Sequence, residues 1–375
     1  MIGLYKYIES PFGEKTYFAG ANSGVGFVNL FGDFYEESSL DRLYIIKGGP
    51  GTGKSTFMRI LAERAADAGA GAEYFLCGSD PSSLDAVVLS GGGKRIAVID
   101  GTSPHAYDAK YPGAVSAVLD FGSFWDKGIL ESERGRIISL AKKKSGCFER
   151  SYRFLAALSV MRRDLRSVTA RAIDRKKLAA FVRRCVAALP ESADYRRRFR
   201  TREAFTMKGA VSLGFPANHT LWSVSGREDA HGEVMSALAE ALSAGKRSHT
   251  VFRDSVDTDK ISALHIDCAD IYIGSFPERP PEASRNINIS RFLLPDRLKD
   301  SRNKRRFTDA RCLSHRVRRM RCPKRAHIIL SLRKSTSAQW ISADSPKQKK
   351  SFTGRLPIFS DKAAHRILSE RMWKK

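Results

Sequence analysis

A lysine and a serine at the end of a glycine run set the first expectation about chemistry. Gly48, Gly49, Pro50, Gly51, Thr52, Gly53, Lys54, Ser55 and Thr56 read GGPGTGKST, and Gly48 with Gly53, Lys54 and Ser55 satisfies the phosphate-loop pattern G-x-x-x-x-G-K-[ST]. Glycines let successive backbone N–H groups curl round phosphate oxygens. The ammonium of Lys54 reaches β- and γ-phosphates, and the Ser55 hydroxyl is a Mg²⁺ ligand of the kind phosphoryl-transfer sites use. The pattern predicts a nucleoside triphosphate held with Mg²⁺.

A carboxylate is the expected second half of such a site. Arg95 to Asp100 reads RIAVID, an apolar run closed by an acid about 45 residues after the loop. At a strand end there, Asp100 would hold the Mg²⁺ shell as the Walker-B acid does. Lys54 and Asp100 are thus the candidate catalytic pair, and Ser55 and Asp100 the candidate metal ligands. The blander alternative is an Asp that caps a strand. Many ATP-hydrolysing motors place Glu directly after this Asp to orient the attacking water; here Gly101 follows, then Thr102, Ser103 and His105. His105 is a candidate phosphate sensor or base, although a hydrogen-bonded loop histidine is the stronger reading.

These residues need elements to hold them. Leu43 to Ile46 is a short apolar, β-prone run, as a buried parallel strand requires. Phe57 to Ala68 has a helical pattern, ended by Gly69 to Gly71. Ala72 to Cys77 reads as the next strand. Gly78 to Ser82 forms a turn, with Ser82 or Ser83 as a helix cap before Leu84 to Leu89, then a loop at Ser90 to Gly93. Upstream, TYFAGANSGVGFVNLF reads as a structural hairpin rather than a second anion loop, because no Lys or Arg lies within its turn. Residues 114–148 are helical in pattern. Phe148 to about Leu189 is an Arg-rich antiparallel helical pair, with apolar positions at Leu155, Leu158, Val160, Leu165, Leu178, Phe181 and Val182. Its arginines make either a lid over a nucleotide or a solvated basic face, the second being the stronger reading.

The 375 residues suffice for two domains with real cores, and 42% hydrophobic residues is ordinary for a globular chain. No run approaches the 18 or more apolar residues of a membrane span, and the start lacks the apolar stretch of a secretory signal. The six cysteines form no C-x-x-C pair, which fits a reducing cytoplasm better than zinc or a disulfide framework. The net charge of +25 invites a nucleic-acid reading. Its distribution argues against that: residues 1–150 carry net −1, 151–300 net +8 and 301–375 net +18.

The second half echoes the first. LYIIKGGPGTGKSTFMRILAE (43–63) parallels LWSVSGREDAHGEVMSALAE (221–240), YFLCGSDPSSLDAVVL (74–89) parallels VFRDSVDTDKISALHI (251–266), and IAVIDGTSPH (96–105) parallels DIYIGSFPER (270–279). His231 and Gly232 stand near the places of Lys54 and Ser55, and Gly274 stands opposite Asp100. The hydrophobic skeleton persists while the phosphate chemistry does not.

FAGANSGVGF, KGGPGTGKST, CGSDPSSLDAV and VIDGTSPHAYDAKYPGAV together resemble a little-characterised family of bacterial tandem P-loop ATPases, over roughly residues 16–165. The resemblance implies a cytoplasmic ATP-binding protein with two P-loop-type halves. Many relatives keep an intact loop in the second half; this chain does not. Relatives also end in a helical segment with a Tyr-x-x-Ala-Met-Asp-Phe motif. Here, from about Ser314, the sequence turns basic and aperiodic. Read from the third base of each codon, residues 334–352 permit IYVGAMDFSRLTEAEEEL, with Trp340–Ile341 forcing the Asp codon. The expectation is a frame change after about residue 314, against the rival of a basic arm for nucleic acid or an anionic membrane.

The expected fold is α/β, a P-loop NTPase-type parallel sheet with helices on both faces, duplicated, with a helical insert between the halves. The expected boundaries are a nucleotide-binding domain at 1–150, a basic helical insert at 151–205, a degenerate repeat at 206–300 and a basic tail at 301–375. The expected function is Mg²⁺-dependent ATP binding and hydrolysis as a switch or assembly step, with an unidentified protein or small-molecule partner and no membrane. The rivals are a small-molecule or nucleotide kinase, a nucleic-acid-dependent ATPase, which the charge distribution disfavours, and a non-enzymatic nucleotide-gated scaffold.

Overall fold

The computed structural model describes residues 5–226 and 230–299. The basic tail at 301–375 and the frame change lie outside the described residues.

In chain order the first strands are β1 (Lys6–Tyr7), β2 (Thr16–Phe18), β3 (Gly20–Ser23), β4 (Gly26–Asn29) and β5 (Arg42–Lys47). Helix α1 (Lys54–Asp67) follows, then β6 (Gly71–Leu76), β7 (Leu84–Gly91), β8 (Lys94–Asp100) and β9 (Ser116–Asp120). Three helices come next: α2 (Lys127–Ser132), α3 (Arg134–Arg171) and α4 (Arg175–Ala187). The second half holds β10 (Arg197–Arg200), β11 (Glu203–Thr206), β12 (Gly209–Ser212), β13 (Thr220–Ser225) and α5 (His231–Ala244). It ends with β14 (His249–Arg253), β15 (Ile261–Ile266), β16 (Ile271–Phe276), β17 (Arg285–Asn288) and α6 (Pro295–Lys299).

Contacts group the described residues into two units, each drawn from separate stretches. Residues 15–19 and 35–149 form one, called here the phosphate-loop unit. Residues 5–14, 20–34 and 150–299 form the second unit.

The sheet of the phosphate-loop unit runs in the order β2-β6-β7-β8-β5-β9. β5 is parallel to β8 and to β9, and β2 is parallel to β6. β7 is antiparallel to both its neighbours, β6 and β8. The expected parallel sheet is therefore mixed, and the fold class holds as α/β with parallel-containing sheets. The expected helix behind the serine cap is β7. Leu84 to Leu89 is nearly all apolar and buried, and a run without alternation suits a doubly buried strand as well as a helix. The turn decides the matter. Gly92 and Gly93 both have positive φ, 54° and 73°, as a two-residue type I′ hairpin demands.

Residues 114–148 also depart from the helical expectation. β9 lies there as the edge strand beside β5, with Val118 paired to Ile45. Helix α3 begins at Arg134 and runs 38 residues. Helix α1 buries Phe57, Met58, Leu61, Ala62 and Ala65 on one face, against β6 and β7.

The second unit repeats this plan. Its sheet runs β10-β14-β15-β16-β13-β17, with β15 as the antiparallel member. Helix α5 buries Val234, Met235, Leu238, Ala239 and Leu242, the same face as α1 moved on by a constant 177 positions. α4 packs on α5, with Phe181, Val182 and Cys185 in the shared core, so its partner is not the helix before it as the helical-pair reading expected. In each half a hairpin follows the first strand of the sheet: β3–β4 after β2, and β11–β12 after β10. The lead-in near residue 20 is thus the structural hairpin the sequence favoured. No helix among the described residues is long and apolar enough to cross a membrane.

Candidate functional site

The phosphate-loop pattern occupies the turn between β5 and α1. Leu43 to Ile46 are buried, and the helix opens at Lys54 itself. Gly53 sits at the helix N-cap with φ 84°, a left-handed conformation that costs a side-chain-bearing residue energy. Pro50, Gly51 and Thr56 are exposed. Thr52 Oγ1 donates to the Gly49 carbonyl at 3.0 Å and braces the turn. A Cβ on Gly49 would lie 2.7 Å from Trp125 Cζ2, so the Trp125 indole rests directly on the loop backbone.

Lys54 and Asp100 are brought together. Lys54 Nζ lies 3.6 Å from Asp100 Oδ2 and donates to the carbonyls of Gly48 (2.7 Å) and Gly49 (2.8 Å). Asp100 ends β8 in register with Ile46, one residue before the end of the neighbouring β5. Its Oδ1 accepts from Thr102 N at 2.9 Å, and the Thr102 hydroxyl donates to the Gly48 carbonyl at 2.8 Å. This chain of bonds ties the acid to the loop. Burial pushes the Asp100 carboxyl above its ordinary range; Lys54 and the Thr102 bonds oppose that, while nearby Asp85 adds to it. Ser55, in the first turn of α1, accepts from Leu84 N at 2.9 Å, which fixes its hydroxyl against the start of β7.

Gly101 has a steric reason. A Cβ there would lie 2.4 Å from Ile45 Cγ2 and 3.2 Å from Lys47 Nζ, and Lys47 donates to the Gly101 carbonyl at 2.7 Å. His105 is buried, 5% exposed, with Nε2 2.9 Å from Asp85 Oδ2. The carboxylate of Asp85 is thus the near neighbour of its ring. Sequence reasoning missed Asp85. The signal was there, a single acid inside the otherwise apolar LDAVVL.

The worn copy is resolved by strand pairing. α5 opens at His231 as α1 opens at Lys54, and His231 Nε2 lies 3.1 Å from the Phe276 carbonyl. The pair equivalent to Ile46–Asp100 is Val224–Ser275, so Ser275 rather than Gly274 stands in the place of Asp100. The β15–β16 hairpin is shorter, with Ile266 pairing Ile271 where the first half pairs Leu89 with Ile96, and that shift moves the alignment. Ser275 and His231 thus stand where the first half has Asp100 and Lys54. Two arginines of the lid reading are committed elsewhere: Arg162 and Arg166 pair with Asp254 and Asp257. No family model, no curated protein and no solved structure matches this chain.

Proposed function

We propose that the chain binds ATP with Mg²⁺ at Gly48–Thr56 and hydrolyses it slowly, as a switch or assembly factor. The reading is carried by one observation: Lys54 Nζ stands 3.6 Å from Asp100 Oδ2 at the mouth of a glycine loop that joins a buried strand to a helix N-terminus. That arrangement presents partial positive charge, backbone N–H groups and an ammonium to one anion. Ser55 and Asp100 are the residues that would hold Mg²⁺, which neutralises charge on the β- and γ-phosphate oxygens when bound. A phosphate draws Lys54 away from the Gly48 and Gly49 carbonyls. ATP rather than GTP follows from the family resemblance and from the lack of an N-K-x-D sequence.

Slow turnover follows from Gly101. No carboxylate follows Asp100 to orient water, and unassisted NTPases of this plan turn over at roughly 10⁻⁴ to 10⁻² per second. The same feature favours a second reading, a kinase, in which an acceptor hydroxyl replaces water. Labelled-ATP binding with Mg²⁺ tests the site, with Trp125 emission as a local reporter. Unchanged binding in Lys54→Ala refutes it. Turnover that appears only with an acceptor metabolite favours the kinase.

A further inference from the structure

Three side chains that the nucleotide site does not use converge beside it. Cys77 is the first residue after β6, Asp85 lies in β7, and His105 lies in the loop after β8. One ligand atom from each lies within 4.8 Å of the other two. Asp85 and His105 are buried, 4% and 5% exposed. Their sulfur, carboxylate and imidazole sit on three separate stretches of the fold, so local sequence does not explain the meeting.

Asp85 reaches this corner through a β-bulge. The register pairs Phe75 with Ala86 and Leu76 with Leu84, which leaves Asp85 as the extra residue. Bulges re-aim a side chain, and they gather near functional sites. Cys77 is also specially placed. The N–H groups of Ser79 and Asp80 donate to its sulfur, and its thiol donates to Asp85. Amide bonds around sulfur ligand atoms are a feature of metal centres.

The duplicate supplies a comparison. The loops after β6 and β14 are bonded alike: Cys77 N donates to Ser83 O (2.8 Å) and Ser83 N to Asp80 O (3.0 Å). Asp254 N donates to Lys260 O (2.9 Å) and Lys260 N to Asp257 O (2.8 Å). The bulge recurs as well, with Ser262 in the place of Asp85. Where the first half has Cys77, the second has Asp254, and the Arg162 guanidinium sits on that carboxylate at 3.1 and 2.5 Å. The copy places a built-in cation beside the residue equivalent to Cys77. The phosphate-loop unit gathers sulfur, imidazole and carboxylate at the same corner.

We propose that Cys77, Asp85 and His105 bind a thiophilic divalent ion, with Zn²⁺ the best match. Three protein ligands with a fourth position open to water is the donor count of reactive rather than structural zinc sites. A set containing thiolate and imidazole selects against Mg²⁺. Bond lengths of about 2.3 Å to sulfur and about 2.0–2.2 Å to nitrogen and oxygen put ligand atoms roughly 3–4 Å apart, which small side-chain movements reach from the present spacing. Binding expels the Cys77 thiol proton to solvent. The proposal stands independently of the nucleotide reading.

The test is a titration of the metal-free full-length protein with Co²⁺, then Zn²⁺, without nucleotide. The expected result is a near-ultraviolet thiolate-to-cobalt band saturating at one ion per chain and displaced by Zn²⁺. Cys77→Ser abolishes the band, and His105→Ala weakens Co²⁺ binding by at least about tenfold. His265→Ala, in a separate histidine cluster, leaves the band unchanged. Circular dichroism confirms that each variant is folded. A wild-type protein that shows no band at stoichiometric Co²⁺ overturns the proposal. So does a band that survives Cys77→Ser or disappears in a folded His265→Ala.

Discussion

Lys47 Nζ donates to the Gly101 carbonyl at 2.7 Å, and a side chain after Asp100 would meet Ile45 Cγ2 at 2.4 Å and Lys47 Nζ at 3.2 Å. The position that carries a water-orienting acid in many motors is therefore closed by packing. Gly101→Glu is expected to destabilise the protein by about 1–3 kcal/mol through overpacking and to leave turnover no faster. Thermal melting and phosphate release measure both. Fast hydrolysis in a well-folded Gly101→Glu protein would contradict this account of the loop.

Lys54→Ala is expected to lower labelled-ATP affinity at least about thirtyfold, the lower end of what losing one partner of a desolvated charge pair costs. The change is local, so the far-ultraviolet circular dichroism should match the parent. Trp125, which rests on Gly49, should no longer report ATP addition.

Glu37 is a buried acid that accepts from four donors: Tyr107 OH at 2.8 Å, Lys110 N at 3.1 Å, Tyr111 N at 3.2 Å and the Ser116 hydroxyl. Burial alone would raise its pKa; the bonds from Ser116, Lys110 N, Tyr107 and Tyr111 N outweigh that and hold it below the ordinary 4.5. Its stabilisation is therefore complete above the unfolded carboxylate range and is lost as pH falls through the lower folded value. Glu37→Gln should cost at least about 2 kcal/mol at neutral pH and make the acid limb of the stability profile shallower. A chemical-denaturation series from pH 3 to 7 reads both.

The Arg162–Asp254 pair is buried, with Arg162 7% and Asp254 3% exposed. Burial would raise the Asp254 carboxyl, and Arg162 with Arg166 keeps it low. Arg162→Met leaves that charge with Arg166 at 3.8 Å and should cost about 3 kcal/mol. Adding Asp254→Asn should recover part of the loss, because the uncompensated charge goes with it. Urea midpoints of the two singles and the double form the required cycle.

His219 has carboxylates on both ring nitrogens: Asp270 Oδ2 at 2.5 Å on Nδ1 and Glu14 Oε2 at 3.2 Å on Nε2. A neutral imidazole donates only once, so the geometry calls for the imidazolium. Burial would lower its pKa; Asp270 and Glu14 raise it above 6.5. His265, bonded to Asp267 and to the other Asp270 oxygen, and the Tyr272 ring complete its surroundings. The stabilisation is full below the unfolded histidine pKa and is lost as pH rises through the raised folded value. Melting temperatures between pH 5 and 9 should fall on the alkaline side, and His219→Gln should flatten that slope.

Much of the candidate site was legible because its residues are local: strand, glycine turn, Lys54 and helix follow one another without a gap. Asp100 was legible from an apolar run closed by an acid. β7 was not, since a run buried on both faces carries no period and Ser82 and Ser83 imitate a helix cap. β9 was hidden because an edge strand is short and its partner, β5, lies about 70 residues upstream. The meeting of Cys77, Asp85 and His105 was beyond sequence reasoning, since a register shift inside β7 aims the acid. The repeat was legible in its helices and misaligned by one position at Ser275, because the hairpin length changed.

The hairpin Gly20–Asn29 follows β2 in sequence yet counts with the second unit, where Asn22 Nδ2 donates to the Phe205 carbonyl, 183 residues downstream. A ribosome finishes this hairpin early and delivers its partner late. During synthesis the segment must wait while the whole phosphate-loop sheet emerges, so the two halves cannot mature strictly one after the other. A gene cut at residue 149 would encode a phosphate-loop unit with a hairpin that has nowhere to go.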